Sequence, residues 1–292
     1  MLNKIGPLLV TALFKSLAYM PLALLQTIGY CAGWLVWILP GSYKRRAWEN
    51  LRIAIPDATR DTLRESLVNV GQLFMEMPYW HIREDEKELA KQVQFDAWDK
   101  IAVALEKGNG LILLGPHAGN FESLGAIFTS RYPATVLFRP PRMAWLQDWI
   151  IKTRTRSKLT MAPANHLGVR SLVKALKRGQ TIGILPDQVP VLGEGTWAPF
   201  FGKPAYTTTL VQRLQSLTQA PIFVMAAKRN GIGKGYTVYC HEISELLSEN
   251  PEQAAAQINH AMEDMIKLMP TQYLWGYNRY RQPRAKPGAH KE

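Results

Sequence analysis

The sequence is short of cysteine and short of acid. Cys31 and Cys240 are the only cysteines in 292 residues. Two thiols that far apart form no disulfide framework, and without a C-x-x-C pair the commonest zinc pattern is missing. No H-E-x-x-H run and no G-x4-G-K-[ST] loop occurs, so neither a zinc-peptidase helix nor a P-loop is indicated. Asp and Glu number 23 against 35 Lys and Arg, a formal charge of +12. That balance suits an anionic partner: nucleic acid, anionic lipid or an acidic carrier protein. No nucleic-acid recognition motif accompanies the charge, and nucleic acid is not an expected partner.

Charge is missing altogether from one stretch. From Ser16 to Tyr43, "SLAYMPLALLQTIGYCAGWLVWILPGSY", there is no charged residue. About 20 apolar residues of helix suffice to cross a hydrocarbon core. Trp34, Trp37 and Tyr43 resemble interfacial anchors, and Pro21 marks a kink. The run is long for a cleaved signal and has no small-residue cleavage site. The expectation is therefore an N-terminal transmembrane helix, with residues 1–43 as a membrane anchor. Lys44, Arg45, Arg46 and Arg52 follow the run, against Lys4 and Lys15 before it. The excess places the body on the cytoplasmic side of the membrane, in single-pass topology.

What is present beyond residue 43 is an alternating pattern. "SYKRRAWENLRIAI" reads as a basic amphipathic helix, and Leu63, Leu67, Val70, Phe74 and Met77 recur at helical spacing between Thr59 and Trp80. Strands are read at "VQF", "GLILLG", "ATVLFR", "TIGILP", "PIFVMAAKR" and "GYTVYCHEI". Helices are read at "WDKIAVALEKG", "NFESLGAIFTSR", "MAWLQDWIIKTRTR", "VRSLVKALKRG", "TTLVQRLQSLTQ" and "PEQAAAQINHAMEDMIKLM". Strands alternating with helices imply an α/β domain over 44–280, with a mainly parallel or mixed central sheet flanked by helices. The last two strands fit antiparallel edges. "GEGTWAPFFG" reads as a loop, with Phe200 and Phe201 near lipid or core. Residues 281–292 are basic and proline-containing, a mobile tail.

The chemistry concentrates in "LILLGPHAGNFES", residues 111–123. Ligands of open α/β sheets gather beyond the carboxyl ends of strands, where His117 falls. Glu122 lies five residues on, about 140° around a continuous helix, so the two share no helical face. They meet only if a helix starts between them, near Gly119 or Asn120, with Asn120 as N-cap. A neutral imidazole can then take a proton from an alcohol while the carboxylate fixes the tautomer. Backbone N–H groups near Gly119 and Asn120 are candidates for an oxyanion site. Arg139 and Asp187 also follow strands, and Arg142, Arg154 and Arg156 extend a basic rim. His81, His166, His241, His260 and His290 stand alone among unrelated residues, and no metal site is expected.

H-x4-E after a buried strand resembles the motif of glycerolipid and lysophospholipid acyltransferases. "RRAWENLRIAIPD", "VLFRPPRMAWLQDWI", "GILPDQVPVLGEGTWAPFFGKPAYTTT" and "QYLWGYNRYR" follow in the order found in lipid A biosynthesis acyltransferases, over nearly the whole chain. The chain is identified as a member of that family. Phe138 stands where the family often has Tyr, and Tyr277 and Asn278 where His or Lys is common. The resemblance implies transfer of a fatty acyl chain from acyl carrier protein to a hydroxyl of an anionic lipid A precursor at the inner membrane, with no cofactor and no covalent enzyme intermediate. It implies His117 as general base, Glu122 as its partner, and Gly119, Asn120, Arg139, Pro140, Asp187, Gln188 and Gly202 around the acceptor. An acyl-CoA donor acting on another glycolipid or lysophospholipid, a hydrolase, and a non-catalytic lipid-binding protein are the competing readings.

Overall fold

The structure is a computed structural model that describes residues 2–83, 85–138, 151 and 158–285. The expected helix over "MAWLQDWIIKTRTR" and the last part of the basic tail, 286–292, lie outside the described residues.

A seven-stranded sheet forms the centre. Its spatial order is β1 (Val93–Gln94), β9 (Tyr236–Ile243), β8 (Ile222–Arg229), β2 (Leu111–Leu114), β5 (Thr181–Ile184), β3 (Ala134–Phe138), β4 (Leu159–Pro163). Neighbours are parallel except β8 and β9, which run antiparallel from Ile222↔Ile243 to Arg229↔Tyr236. Successive side chains of a strand point to opposite faces. Ile112, Leu114, Ile182, Ile184, Ile222 and Val224 therefore face one core, shared with α8 (His166–Lys177), α9 (Leu210–Thr218) and α10 (Pro251–Lys267). Leu111, Leu113, Phe223 and Met225 face the other, shared with α4 (Arg60–Ile82), α6 (Trp98–Glu106) and α7 (Phe121–Thr129).

Helix starts follow local chemistry. Thr59 and Thr62 form a reciprocal capping box at α4. Asn250 accepts from the amides of Glu252 and Gln253, with Pro251 in the first turn of α10. The segment expected as a loop around Phe200 is instead a hairpin of β6 (Gly195–Phe200) and β7 (Lys203–Thr208), paired from Gly195↔Thr208 to Phe200↔Lys203. Phe200 is buried there. Its turn needs left-handed backbone at Phe201 (φ 47°) and Gly202 (φ 73°). β4 is a further strand that the hydropathy pattern did not mark.

The N-terminal segment departs from expectation. The uncharged run is not one helix: α1 (Leu2–Ala18) ends before Pro21, α2 covers Leu22–Ile38, and α3 (Ser42–Ala54) follows at a bend of 92°. Among the described residues no single helix is long and apolar enough to cross a membrane. The physical reason is a break at Pro21, which has no amide hydrogen to continue α1, and a second break at Gly41, the N-cap of α3. The α2 helix of 17 residues is about 25 Å long at 1.5 Å per residue.

One side of α2 belongs to the body of the protein. Leu22, Leu25, Gln26, Gly29 and Gly33 are buried, a spacing that keeps them on one helical face. Gly29 and Gly33 lie directly on the backbone of Leu67, Val68, Gly71 and Gln72 in α4. A Cβ at Gly71 would overlap the Gly29 carbonyl oxygen, and one at Gly29 would sit 2.5 Å from the Gln72 Cα. The opposite side carries Leu24, Ile28, Leu35 and Ile38, all exposed, and Phe74 of α4 is exposed as well.

Such close approach predicts the effect of bulk. Gly71→Val should separate α2 from α4, cost at least about 1–3 kcal/mol, and lower the melting temperature by several degrees. Limited proteolysis should then cut between α1 and α2 faster than in the wild type. An unchanged melting temperature would contradict this packing.

Candidate active site

The turn after β2 is clamped before it carries any chemistry. The Gly119 amide donates to the Gln272 carbonyl at 2.9 Å and the Asn120 amide to the Ala227 carbonyl at 2.8 Å. The His117 carbonyl accepts from the Leu274 amide at 3.0 Å. Gly119 has φ 60°, and a Cβ there would collide with the Ala227 carbonyl, so only glycine fits. Asn120 is the N-cap of α7: its side-chain oxygen accepts from the Ser123 amide at 3.0 Å. Both amides expected to serve an oxyanion are thus already engaged, and Gly119 and Asn120 hold the turn. Gly202 sits in the β6–β7 turn and does not line the cavity below. Arg139, Pro140, Arg142, Arg154 and Arg156 lie outside the described residues.

His117 is paired, but with a carboxylate other than the expected one. Its Nδ1–H donates to Asp187 Oδ1 at 2.6 Å, and its backbone N–H donates to Asp187 Oδ2 at 2.8 Å. Asp187 is buried and His117 only partly so. The Gln188 side-chain amide donates to His117 Nε2 at 3.0 Å. The two bonds agree on one tautomer, with the proton on Nδ1 and a lone pair on Nε2. Glu122 instead accepts from His81 Nε2 at 3.0 Å. His81, read from the sequence as standing alone, is buried in the last turn of α4 and belongs to this site. Among the described residues no group of three or more His, Cys, Asp or Glu side chains is placed to hold a metal ion.

Electrostatics reinforce the pair. Burial opposes the imidazolium, but the Asp187 charge, its hydrogen bond and the Glu122 charge outweigh it and hold His117 above the ordinary histidine value of 6.5. Burial would raise Asp187, yet His117 charge, both bonds from His117 and the Arg279 guanidinium hold it below the ordinary carboxylate value. Arg279 is itself fixed by bonds to the Tyr206 carbonyl (2.7 Å) and Thr207 Oγ1 (2.6 Å). Burial, together with the Asp187 charge, pushes the Tyr273 phenol well above its ordinary value, so it stays protonated.

A second buried charge holds the turn from behind. Glu76 of α4 is fully buried. Its Oε1 accepts from Arg229 Nε at 2.6 Å and Gln26 Nε2 at 2.9 Å, and its Oε2 from Arg229 Nη2 at 2.6 Å and Asn120 Nδ2 at 2.8 Å. One carboxylate thus joins α2, α4, β8 and the cap of α7. Asn120 is positioned by it, and with Asn120 the start of the helix that carries Glu122.

His117 opens on a cavity of about 870 Å³. One wall is the sheet face and α7: Leu113, Leu124, Val136, Leu159, Met161 and Gly183. The other comes from Gln188, Glu194, Thr208, Arg213, Tyr277 and Arg281. His81, Phe121 and Glu122 line the same space. A cavity lined by apolar and polar side chains together, with an imidazole whose Nε2 carries a lone pair, has the chemistry of an enzyme site at which an alcohol can be deprotonated.

Comparison with known proteins gives that class its family. Residues 1–282 match the family of bacterial lipid A biosynthesis acyltransferases. A lipid A biosynthesis acyltransferase of Haemophilus influenzae is 27% identical over 286 residues, covering 92% of this chain and 88% of its own. The lipid A biosynthesis lauroyltransferase of Escherichia coli is 27% identical over 254 residues, 82% of this chain and 80% of its own. The palmitoleoyltransferase of the same organism is 26% identical over 249 residues, 82% and 79%. The chain belongs to the bacterial lipid A biosynthesis acyltransferase family, and it is an acyltransferase.

The Glu76 hub makes a stability prediction. Glu76→Ala removes the partner of a fully buried guanidinium and should cost about 3–5 kcal/mol, the usual result of stranding a buried charge. Urea unfolding would show it as a lower midpoint at unchanged slope. A midpoint within error of wild type would deny the network its supporting role.

Proposed function

We propose that the protein moves a fatty acyl chain from an acyl carrier protein thioester to a hydroxyl of a lipid A precursor, with His117 as general base. The observation that carries this is the Asp187–His117–Gln188 arrangement on a cavity lined by both apolar and polar side chains. Asp187 fixes the proton on Nδ1, leaving the Nε2 lone pair toward Gln188. The acceptor hydroxyl displaces the Gln188 amide and donates to Nε2. As its proton passes to His117, its oxygen forms a bond to the thioester carbonyl carbon. Collapse of the tetrahedral species breaks the carbon–sulfur bond, and the leaving thiolate takes the proton back from Nε2. The acyl group goes directly from sulfur to oxygen, without a covalent enzyme intermediate.

Glu122 keeps a place in this scheme as a second carboxylate. His81 orients it, and its charge adds to that of Asp187 in favouring the imidazolium. The apolar wall takes the acyl chain, whose burial is worth about 0.8 kcal/mol per CH₂. The +12 charge suits both an acidic carrier and an anionic acceptor. A comparable rate with acyl-CoA would shift the donor to that alternative, and free fatty acid as the dominant product would mean hydrolysis.

His117→Ala should abolish transfer. Asp187→Asn should lower kcat/KM by about 10²–10⁴, the range for losing general acid–base assistance, and Glu122→Gln by less. The base works only when neutral, and its value is raised, so activity should fall as pH drops through a point above 6.5. In Asp187→Asn the imidazolium loses its main support and that acidic limb should move to lower pH. Product mass spectrometry with acyl carrier protein thioesters and a lipid A precursor, followed across pH, checks all of this. A larger loss from Glu122→Gln than from Asp187→Asn would reverse the roles.

The exposed side of α1 and α2 supports a location at the inner membrane, lying on its cytoplasmic surface. Leu24, Ile28, Leu35 and Ile38 project from a segment without charge, and the basic α3 follows with Lys44, Arg45, Arg46 and Arg52. That combination suits an anionic leaflet. Leu35→Glu should reduce flotation with anionic vesicles while leaving the melting temperature near wild type. Unchanged flotation would place the membrane contact elsewhere.

A further inference from the structure

The polar wall of the cavity holds two guanidiniums that the scheme above leaves without a task. Arg213, on α9, is exposed and lines the cavity. Arg281, in the C-terminal segment, lines it too. Among the described residues neither forms an ion pair with a carboxylate. Arg281 touches Tyr277, through a long bond from Nη2 to Oη of 3.4 Å and by stacking at 5.7 Å. Its Nε is buried and has no hydrogen-bond partner among the described residues. A buried N–H of a charged group without an acceptor is costly, and native structures rarely leave one so.

Resting on the acyltransferase reading, we propose that Arg213 and Arg281 form the subsite for a substrate phosphate at the polar mouth of the cavity. Both guanidiniums line the cavity without a carboxylate partner among the described residues, and the planar fork of arginine suits a tetrahedral oxyanion. Glu194 lines the same wall. Among the described residues of this wall two guanidiniums stand against one carboxylate. Tyr277 ties this subsite to the catalytic pair. Its hydroxyl accepts from the Val189 amide at 2.9 Å, two residues beyond Asp187, and also from Arg281. A phosphate bound at Arg281 is therefore registered against the segment that positions His117.

Two substrates can bring a phosphate: a phosphorylated saccharide acceptor, or the phosphopantetheine arm of a carrier-bound donor. Both share the chemistry, and the experiment separates them. The purified full-length protein would be titrated with inorganic pyrophosphate by calorimetry. Binding should weaken about ten- to a hundredfold in Arg213→Gln and in Arg281→Lys, the range expected for losing charge-assisted bonds. Arg281→Lys keeps the charge but not the fork, and Arg213 is exposed, so at least one variant stays folded. Pyrophosphate affinity within twofold of wild type in both variants would overturn the site.

Kinetics then name the source. Acyl-phosphopantetheine is compared with acyl-pantetheine as donor, and a phosphorylated acceptor with its dephosphorylated form. If the variants raise KM more than they lower kcat and lose the wild-type preference for the phosphorylated acceptor, the subsite serves the acceptor. Loss of the donor preference assigns it to the carrier arm. Retention of both preferences would overturn the proposal. Wild-type protein that binds pyrophosphate but transfers no acyl group would instead refute the reading of the reaction.

Discussion

The Glu76–Arg229 ion pair is the constraint on which the rest of the site depends. Both side chains are buried, and the carboxylate oxygens are each shared between the guanidinium and one neutral amide, Gln26 or Asn120. Burial alone would lower the arginine, and Glu76 outweighs that to keep it charged. A pair of this kind contributes little net stability compared with an apolar replacement, but it accepts few alternative geometries. Four separate segments must arrive together for its donors and acceptors to be matched. Asn120 caps α7 only from that position. The turn that presents His117 is set between this network, the Ala227 carbonyl and the C-terminal segment around Gln272.

The identity of the histidine's partner shows what spacing can and cannot tell. H-x4-E suggested a local pair, and a local pair was the economical reading. The sheet decides otherwise. β2 and β5 are adjacent and parallel with Leu114 opposite Ile184. His117 and Asp187 are each three residues past those positions, so the register carries them to the same place. That adjacency joins strands 70 residues apart in sequence and follows no sequential order. Asp187 was legible as a strand-end residue, but not as the ligand of Nδ1. His81 was illegible for a similar reason: nothing near it in sequence reports that the end of α4 packs against the start of α7.

Elements with a clear period were legible. The described amphipathic helices and the continuous apolar strands β2, β5 and β8 fall where hydropathy placed them, and the antiparallel pairing of β8 with β9 was anticipated, although the pair lies inside the sheet, with β1 beyond β9, and not at its edge. The hairpin β6–β7 was not, because "GEGTWAPFFG" carries glycine and proline that read as loop. Its order comes from contacts outside it: Asn259 of α10 donates to the Pro199 carbonyl, and Arg279 to the Tyr206 carbonyl. The uncharged run was legible as composition but not as helix boundaries: it is broken at Pro21 and again before Ser42. Apolar composition over a long stretch is shared by a spanning helix and by a helix with one face on protein and the other bare. Gly29, Gly33 and the buried Gln26 mark the face that packs on α4, since small residues and a polar side chain on one face signal a close interface.

Gln26 gives that distinction a functional consequence. Its Nε2 donates to Glu76, and its Oε1 accepts from the Gly233 amide in the β8–β9 connection at 2.7 Å. The helix with the bare apolar face is therefore one bond from the carboxylate that holds Asn120, and two from the cap of α7. Ile232, next to Gly233, is exposed like the apolar residues of α2. Any partner resting on that face of α2 would bear on a helix already bonded to the network behind the His117 turn. Independent mobility of α2 would cost the Glu76 bond as well as the glycine packing. The bare face of α2 and the turn that presents His117 are thus linked through Gln26, Glu76 and Asn120, so the N-terminal segment is structural to the site.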